Sequence, residues 1–421
     1  MRRGRNPLML DFRPPKHHAA GYRLGKLINR WMLRYWRKGL RVVISEESLD
    51  RLREAYEHHC VLLPSHRNDD DVYVMFTLSA RTRQPYYYLA AREHFTEHVG
   101  GEWRSLAMQH MGCFSVVRGA ADRASFRATC DLIASGKRPV VIFPEGAISH
   151  RTDTVMPFQE GIFKLAFWAL QDIVTTARKE RILLVPIGIH YVVSEERTEN
   201  LHTGLTRLER ALLGEPNTGD PLTRIRLICR HLLEVLENVH YGASRAEMSI
   251  SERTTSLRTD ILEEMERFFQ LHPRSGDTLL DRARAVRNRL DEEVYTETDS
   301  TGRYARAAHE RRVERLHGFY EAVKRVCAFD AVDILTVDQD PSLSTLFEML
   351  WVLETEVFGS PGTLVPRTAE IRVGDPVVLN DHYASYLADK RETVESVTKH
   401  IESAVAALLQ AESEAEHART R

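Results

Sequence analysis

The run Val61-Leu62-Leu63-Pro64-Ser65-His66-Arg67-Asn68-Asp69-Asp70-Asp71-Val72-Tyr73-Val74-Met75-Phe76 decides how this chain is read. Its apolar start suits a buried strand, and its Asp-rich stretch suits the first turn of a helix, where the helix dipole favours negative charge. Strand, loop and helix in that order make half of an α/β unit. They also set one imidazole, His66, in a loop five residues ahead of the carboxylate of Asp71. A loop imidazole can face a cleft. A carboxylate one turn on can bond its other nitrogen, fix the tautomer and stabilise the cation formed when the ring takes a proton. Three consecutive Asp residues are equally ordinary capping chemistry, and Asp69 with Asp71 could instead hold a divalent ion, as in transferases that bind a nucleotide sugar. Spacing alone leaves these readings open.

Around this run, from residue 60 to 191, short apolar stretches alternate with helical patterns. Cys60–Pro64, Tyr86–Ala90, Cys113–Val117, Pro139–Phe143 and Ile182–Tyr191 read as strands of an α/β sheet. From Asn200 to about Gly359 strand signals nearly vanish and apolar residues take helical spacing, as in Leu279, Ala283, Val286, Leu290 and Val294. Such stripes predict the core faces of a helical bundle and carry no chemistry. No internal repeat stands out, and no Gly-rich phosphate loop is present. After the turn-rich Gly359-Ser360-Pro361-Gly362, strand character returns in Glu370–Leu379, followed by a last helix to about Ala411.

The expected plan is a basic amphipathic arm (1–44), a catalytic domain (45–199), a helical insertion or bundle (200–365), a returning strand and closing helix of the catalytic domain (366–411) and a polar tail (412–421). The returning strand is expected to join the sheet that holds Val61–Pro64 and Ile182–Tyr191.

With 421 residues, 43% of them hydrophobic, the chain can bury ample core without disulfides. Its five cysteines are scattered, without metal-ligand spacing, and suit a reducing compartment. No stretch approaches the roughly 18 uninterrupted apolar residues of a spanning helix, so the expectation is a chain neither secreted nor membrane-spanning. Net charge is −2, yet residues 1–44 hold twelve Arg or Lys and one acid, Asp11. On a helix from about Tyr22 to Arg41, Arg23, Lys26, Arg30, Arg34, Arg37 and Arg41 form one stripe and Leu24, Ile28, Trp31, Met32, Tyr35 and Trp36 another. Cations beside aromatics suit an interfacial helix meeting anionic lipid; a helix packed on its own domain with a solvated basic edge gives the same pattern. No nucleic-acid fold signature accompanies the arginines, so no nucleic-acid partner is expected.

Three further clusters follow strand-like runs, where α/β proteins collect ligand-binding groups. In Gly112-Cys113-Phe114-Ser115-Val116-Val117-Arg118-Gly119 an Arg ends a strand, and its planar fork can meet a phosphate bidentately. Phe143-Pro144-Glu145-Gly146 turns a strand end and presents a carboxylate. Val185-Pro186-Ile187-Gly188-Ile189-His190-Tyr191 is mostly a buried strand. Together, and in this order, the four blocks resemble the signature of the glycerolipid acyltransferase family, which acylates glycerol-3-phosphate and lysophosphatidate. His-x4-Asp is matched by His66 and Asp71, the second block by Gly112, Phe114 and Arg118, the third by Phe143 to Gly146 and the fourth by Val185 to Ile189. The closing Gly-x-Pro strand is matched by Gly374-Asp375-Pro376, and the helical region resembles the insertion of a long bacterial subgroup.

The resemblance implies that His66 is the general base and Asp71 its orienter, with Arg118, Glu145 and Gly146 binding the acceptor phosphate. It implies acyl-coenzyme A or acyl carrier protein as donor and cosubstrate, a lysophosphatidate-like acceptor, and neither cofactor nor metal. A glycerol-3-phosphate acyltransferase, or an inactive membrane-bound interaction protein, are the alternatives. Where many members continue Phe-Pro-Glu-Gly with Thr-Arg-Ser, this chain has Ala147-Ile148-Ser149-His150-Arg151, so His150 or Arg151 stands in as a phosphate partner or the acceptor differs. Lys164, near a helix start, could bind an anion or pair with an acid. The expected location is cytoplasmic, peripheral on the inner face of the cell membrane.

Overall fold

Among the described residues, eight strands make one mixed sheet: β1 (Arg41–Ile44), β2 (His59–Pro64), β3 (Tyr87–Ala91), β4 (Cys113–Val116), β5 (Val140–Val141), β6 (Ile182–Val192), β7 (Thr368–Val373) and β8 (Val377–Val378). This is a computed structural model, and it describes residues 12–95, 101–117, 122–149, 155–295, 303–331 and 341–420. The strand order is β1-β7-β6-β2-β5-β3-β4, with β8 also beside β6. Strands β2 to β6 pair in parallel, whereas β7 and β8 run antiparallel to β6. Helices are α1 (Ala19–Trp31), α2 (Glu46–Ala55), α3 (Asp71–Thr82), α4 (Gly101–His110), α5 (Arg123–Ser135), α6 (Glu160–Thr175), α7 (Thr198–Leu212), α8 (Pro221–Tyr241), α9 (Ile250–Phe269), α10 (Leu279–Tyr295), α11 (Arg303–Ala331), α12 (Leu343–Phe358), α13 (Tyr383–Ala388) and α14 (Lys390–Thr420). Among the described residues no helix is long and apolar enough to cross a membrane.

The sheet, α1 to α6, α13 and α14 belong to one unit, and α7 to α12 to a second. In the first, β2 lies between two parallel neighbours and is covered on both faces, so its apolar run need not alternate with polar residues. Strand pleating sends Leu62 to the core shared with Val74, Met75 and Leu78 of α3, and Val61 and Leu63 to the core shared with Phe163 and Phe167 of α6 and Ile401, Val405 and Leu409 of α14. At Gly188 α14 lies close against β6: a Cβ there would stand 2.9 Å from the Leu408 Cβ.

Glu370 and Ile371 lie in β7, opposite His190 and Ile189 of β6. The stretch expected as one strand, Glu370–Leu379, is broken at Gly374-Asp375-Pro376 into β7 and β8; Pro376 has no N–H to give a ladder, and the Gly374 N–H turns to Pro186 O at 2.9 Å. The N-terminal helix is shorter than its basic stripe suggested. It ends at Trp31, passes into one π-helical turn, Met32–Trp36, and then Lys38 and Gly39 take φ of 52° and 83° and swing the chain into β1. Arg41–Ile44 is therefore an edge strand of the sheet rather than the end of an arm: Val42 is buried while Arg41 and Val43 are exposed. At the other terminus the backbone stays helical to Thr420, through the expected polar tail.

The second unit contains a repeat that the sequence reading missed. Asp220, Ser249 and Thr278 each accept a backbone N–H three residues on, at the starts of α8, α9 and α10, and are spaced 29 residues apart (220, 249, 278). Four residues after each comes an Arg, and each Arg grips a Glu of the preceding helix through two bonds: Arg224 with Glu209, Arg253 with Glu237 and Arg282 with Glu266. Apolar residues recur at the same period, Ile228, Leu257 and Val286 all being buried. One helix per repeat, stacked on the last, is the logic of a solenoid.

Candidate functional site

The site is built where β2 ends. Ser65 is fully buried and ties the loop to β6 through Ser65 N–H to Ile187 O at 2.9 Å and Ile189 N–H to Ser65 Oγ at 3.0 Å. The next residue, His66, is partly exposed, its ring stacked on Phe143 with centroids 4.3 Å apart. Its Nδ1 lies 2.9 Å from Asp71 Oδ2. Asp71 opens α3 and is wholly buried, and the loop folds back over it: Arg67 N–H and Asn68 N–H also donate to Oδ2, at 2.6 and 3.0 Å, and the Tyr191 hydroxyl donates to Oδ1 at 2.7 Å. Both oxygens are thus engaged. An ionised carboxylate only accepts, so the imidazole nitrogen facing it carries the proton and the neutral ring keeps its lone pair on Nε2. These bonds leave Asp71 poorly disposed as a metal ligand, against the reading that pairs it with Asp69.

Phe143-Pro144-Glu145-Gly146 meets the same loop. The Glu145 carboxylate accepts the His66 backbone N–H at 2.6 Å on one oxygen and the Met156 N–H at 2.9 Å on the other. Ser149 N–H donates to His66 O at 2.9 Å. Glu145 is 1% exposed; burial pushes its carboxyl up to about 7, while the two N–H bonds and the nearby Arg67 pull it down. Glu145 therefore fixes the backbone of His66. Gly146 has φ of 70°, and a Cβ there would meet the Gln159 side chain at 1.9 Å, so the turn requires glycine.

In the second block, Gly112 has φ of 100° against Tyr86 O, and Phe114 is fully buried. Arg118, His150 and Arg151 lie outside the described residues. Lys164 sits on the exposed face of α6 and pairs with Glu160 at 2.8 Å. Four residues were not expected at the site from the sequence. Tyr191 holds Asp71; Arg67, 1% exposed, adjoins Glu145; Arg37 and Arg367 both reach Asp70. Tyr191 was readable as a buried strand residue with a hydroxyl in need of a partner; Arg37, expected in the basic stripe, turns instead to Asp70, and nothing local marked Arg367.

Residues 41–190 match the family model described as Acyltransferase. This part of the chain is an acyltransferase domain, consistent with the glycerolipid acyltransferases, and its general role is acyl transfer. No match was found among curated proteins.

Proposed function

We propose that the protein moves a fatty acyl chain from a coenzyme A or acyl carrier protein thioester to a hydroxyl of a lysophosphatidate-like acceptor at an anionic membrane surface, in glycerophospholipid synthesis. The observation that carries this reading is the 2.9 Å contact of His66 Nδ1 with a fully engaged Asp71. It leaves Nε2 basic and aimed by a partner that cannot turn. The acceptor oxygen attacks the thioester carbonyl as Nε2 takes its proton; the tetrahedral intermediate collapses, the carbon–sulfur bond breaks, and the imidazolium returns the proton to the leaving thiolate. A thioester is already activated, so this route needs positioning and a base and no covalent enzyme intermediate. Arg118 is assigned the acceptor phosphate.

Membrane association is supported by an inverted helix. α1 turns Tyr22, Gly25 and Asn29 inward, with the Tyr22 hydroxyl 2.7 Å from Ser79 Oγ and Asn29 Nδ2 2.8 Å from Thr77 Oγ1. It leaves Leu24, Leu27, Ile28 and Trp31 exposed, followed by Tyr35 and Trp36, beside exposed Arg23, Arg30 and Arg34. Placement at the inner face of the cell membrane follows from this reading.

The test is incubation of the purified chain with radiolabelled acyl-coenzyme A or acyl carrier protein and a panel of lysophospholipids and glycerol-3-phosphate, with product identification. Labelled phosphatidate from lysophosphatidate is the expected product. Transfer to glycerol-3-phosphate alone would move the acceptor, and no transfer to any member would remove the proposal.

A further inference from the structure

Asp70 lies between the His66 loop and two arginines brought from opposite parts of the chain. It is 2% exposed, Arg37 Nε stands 2.7 Å from Oδ1, and Arg367 Nη2 bonds Oδ2. Arg37 directly follows the π-helical turn and lies over the Tyr73 ring of α3 at 5.4 Å. Arg367 directly precedes β7; its carbonyl accepts the Arg41 N–H at 2.9 Å, and its guanidinium covers the Tyr191 ring at 4.6 Å. Tyr191 in turn bonds Asp71, which bonds His66. The contacts therefore run Arg37, Asp70, Arg367, Tyr191, Asp71, His66, joining the N-terminal segment and the closing strand to the imidazole.

A buried carboxylate flanked by guanidinia that are 25% and 10% exposed is a poor way to gain stability, and such clusters are better suited to holding one arrangement against others. The arrangement held here is that of the base. We propose that Asp70 is a positioning residue for acyl transfer: gripped by Arg37 and Arg367, it fixes the 66–71 loop and, through Tyr191, the Asp71 carboxylate that aims His66. The inference rests on His66 being the base. It touches neither substrate, so its loss lowers turnover rather than binding, and displacement of a reacting group by about 1 Å can cost on the order of 10²-fold.

The test uses the full chain, palmitoyl-coenzyme A and lysophosphatidate, together with carbethoxylation of His66 by diethyl pyrocarbonate across pH, read by peptide mass spectrometry. Carbethoxylation follows the imidazole whether or not these substrates are turned over. In Asp70→Asn, kcat falls roughly tenfold or more with both KM values within about twofold. The midpoint of His66 reactivity moves to lower pH, because two guanidinia have lost their counter-charge and disfavour the imidazolium. Arg367→Lys keeps more kcat than Arg367→Met. A folded Asp70→Asn with wild-type kcat and midpoint, or with only a lowered Tm, overturns the proposal. If Asp70→Asn does not fold, Arg37→Met, which leaves Asp70 paired with Arg367, is measured in the same way: kcat falls and the midpoint moves to higher pH because one cation is gone, and no change in either is the overturning result. His66→Ala separates the two readings: wild-type turnover there ends the base assignment, while the midpoint shift in Asp70→Asn still judges the clamp.

Discussion

The two units bury carboxylates in different ways. In the helical unit Glu209, Glu237 and Glu266 each meet an Arg of the next helix through two bonds, and Arg253 holds Glu237 below the usual carboxylate range. Those pairs are closed: a permanent cation answers each permanent anion. In the α/β unit Asp71 is as deeply buried, yet its partners are a titratable imidazole, two backbone N–H groups and a hydroxyl. A carboxylate paired with a ring that can gain and lose a proton is suited to chemistry; one paired with guanidinium is suited to holding helices in register.

That contrast is broken most severely at His66. His66→Ala is expected to lower kcat by about 10²–10⁴ with the fold intact, since the ring is partly exposed and packs mainly on Phe143. Asp71→Asn should lose less, because the ring remains while its aim suffers. Steady-state kinetics with circular dichroism as the folding control checks both, and a folded His66→Ala enzyme turning over normally would place Asp71 among the structural carboxylates.

The helical pairs answer in stability instead. Arg253→Met leaves Glu237 buried without its cation and should cost about 3–5 kcal/mol, whereas replacing both as Glu237→Leu/Arg253→Met should recover most of it. Denaturant unfolding of the singles and the double measures this, with turnover per folded molecule unchanged. Equal losses in the single and double variants would mean that packing, not charge, is what the pair supplies.

Glu145 sharpens the comparison from a third side, as a buried carboxylate that accepts two backbone N–H groups. Its folded value of about 7 exceeds its ordinary 4.5, so the carboxyl binds its proton more tightly folded than unfolded. Its contribution is fully present below about 4.5 and is lost as pH rises through about 7, a swing on the order of 3 kcal/mol. Glu145→Gln cannot titrate, and its amide NH2 must face one of the two N–H donors. Wild type should therefore exceed the variant in Tm by more at pH 5 than at pH 8. A gap constant with pH would mean that Glu145 stays ionised throughout.

Much of the catalytic unit was legible because its signals are local. The strand runs at Cys60–Pro64 and Ile182–Tyr191 are largely apolar, and His66 and Asp71 stand five residues apart, one in the loop and one at the start of α3. Contacts that cross the chain were not legible: Arg367 reaches Asp70 from 297 residues away, and no residue beside it says so. β1 was hidden because Arg41 continued a basic stripe, although Val42-Val43-Ile44 is β-branched and comes soon after Gly39. The 29-residue repeat escaped because its likeness rests on function at a few positions, a cap, an Arg and a spaced apolar residue, while Asp220, Ser249 and Thr278 share no identity.

The smallest effect tests the outward face of α1, where the α/β unit turns an apolar stripe away from its core. Deleting the helix would confound the result, since Tyr22 and Asn29 pack on α3. Reversing exposed charges avoids this: Arg23→Glu, Arg30→Glu and Arg34→Glu lie outside that contact. Each basic residue near an anionic leaflet is worth about 1 kcal/mol, and each reversal adds a repelled anion besides, so each should weaken partitioning onto phosphatidylserine vesicles by at least about fivefold. Binding to neutral phosphatidylcholine vesicles should change little, and the salt dependence should flatten as charges are removed, because the lost attraction is screened over a Debye length of about 8 Å at physiological salt. Tm should stay at the wild-type value. If instead the variants bind both vesicle types as wild type does, the cations are a solvated edge, and the exposed leucines and tryptophans of this helix answer to some surface other than anionic lipid.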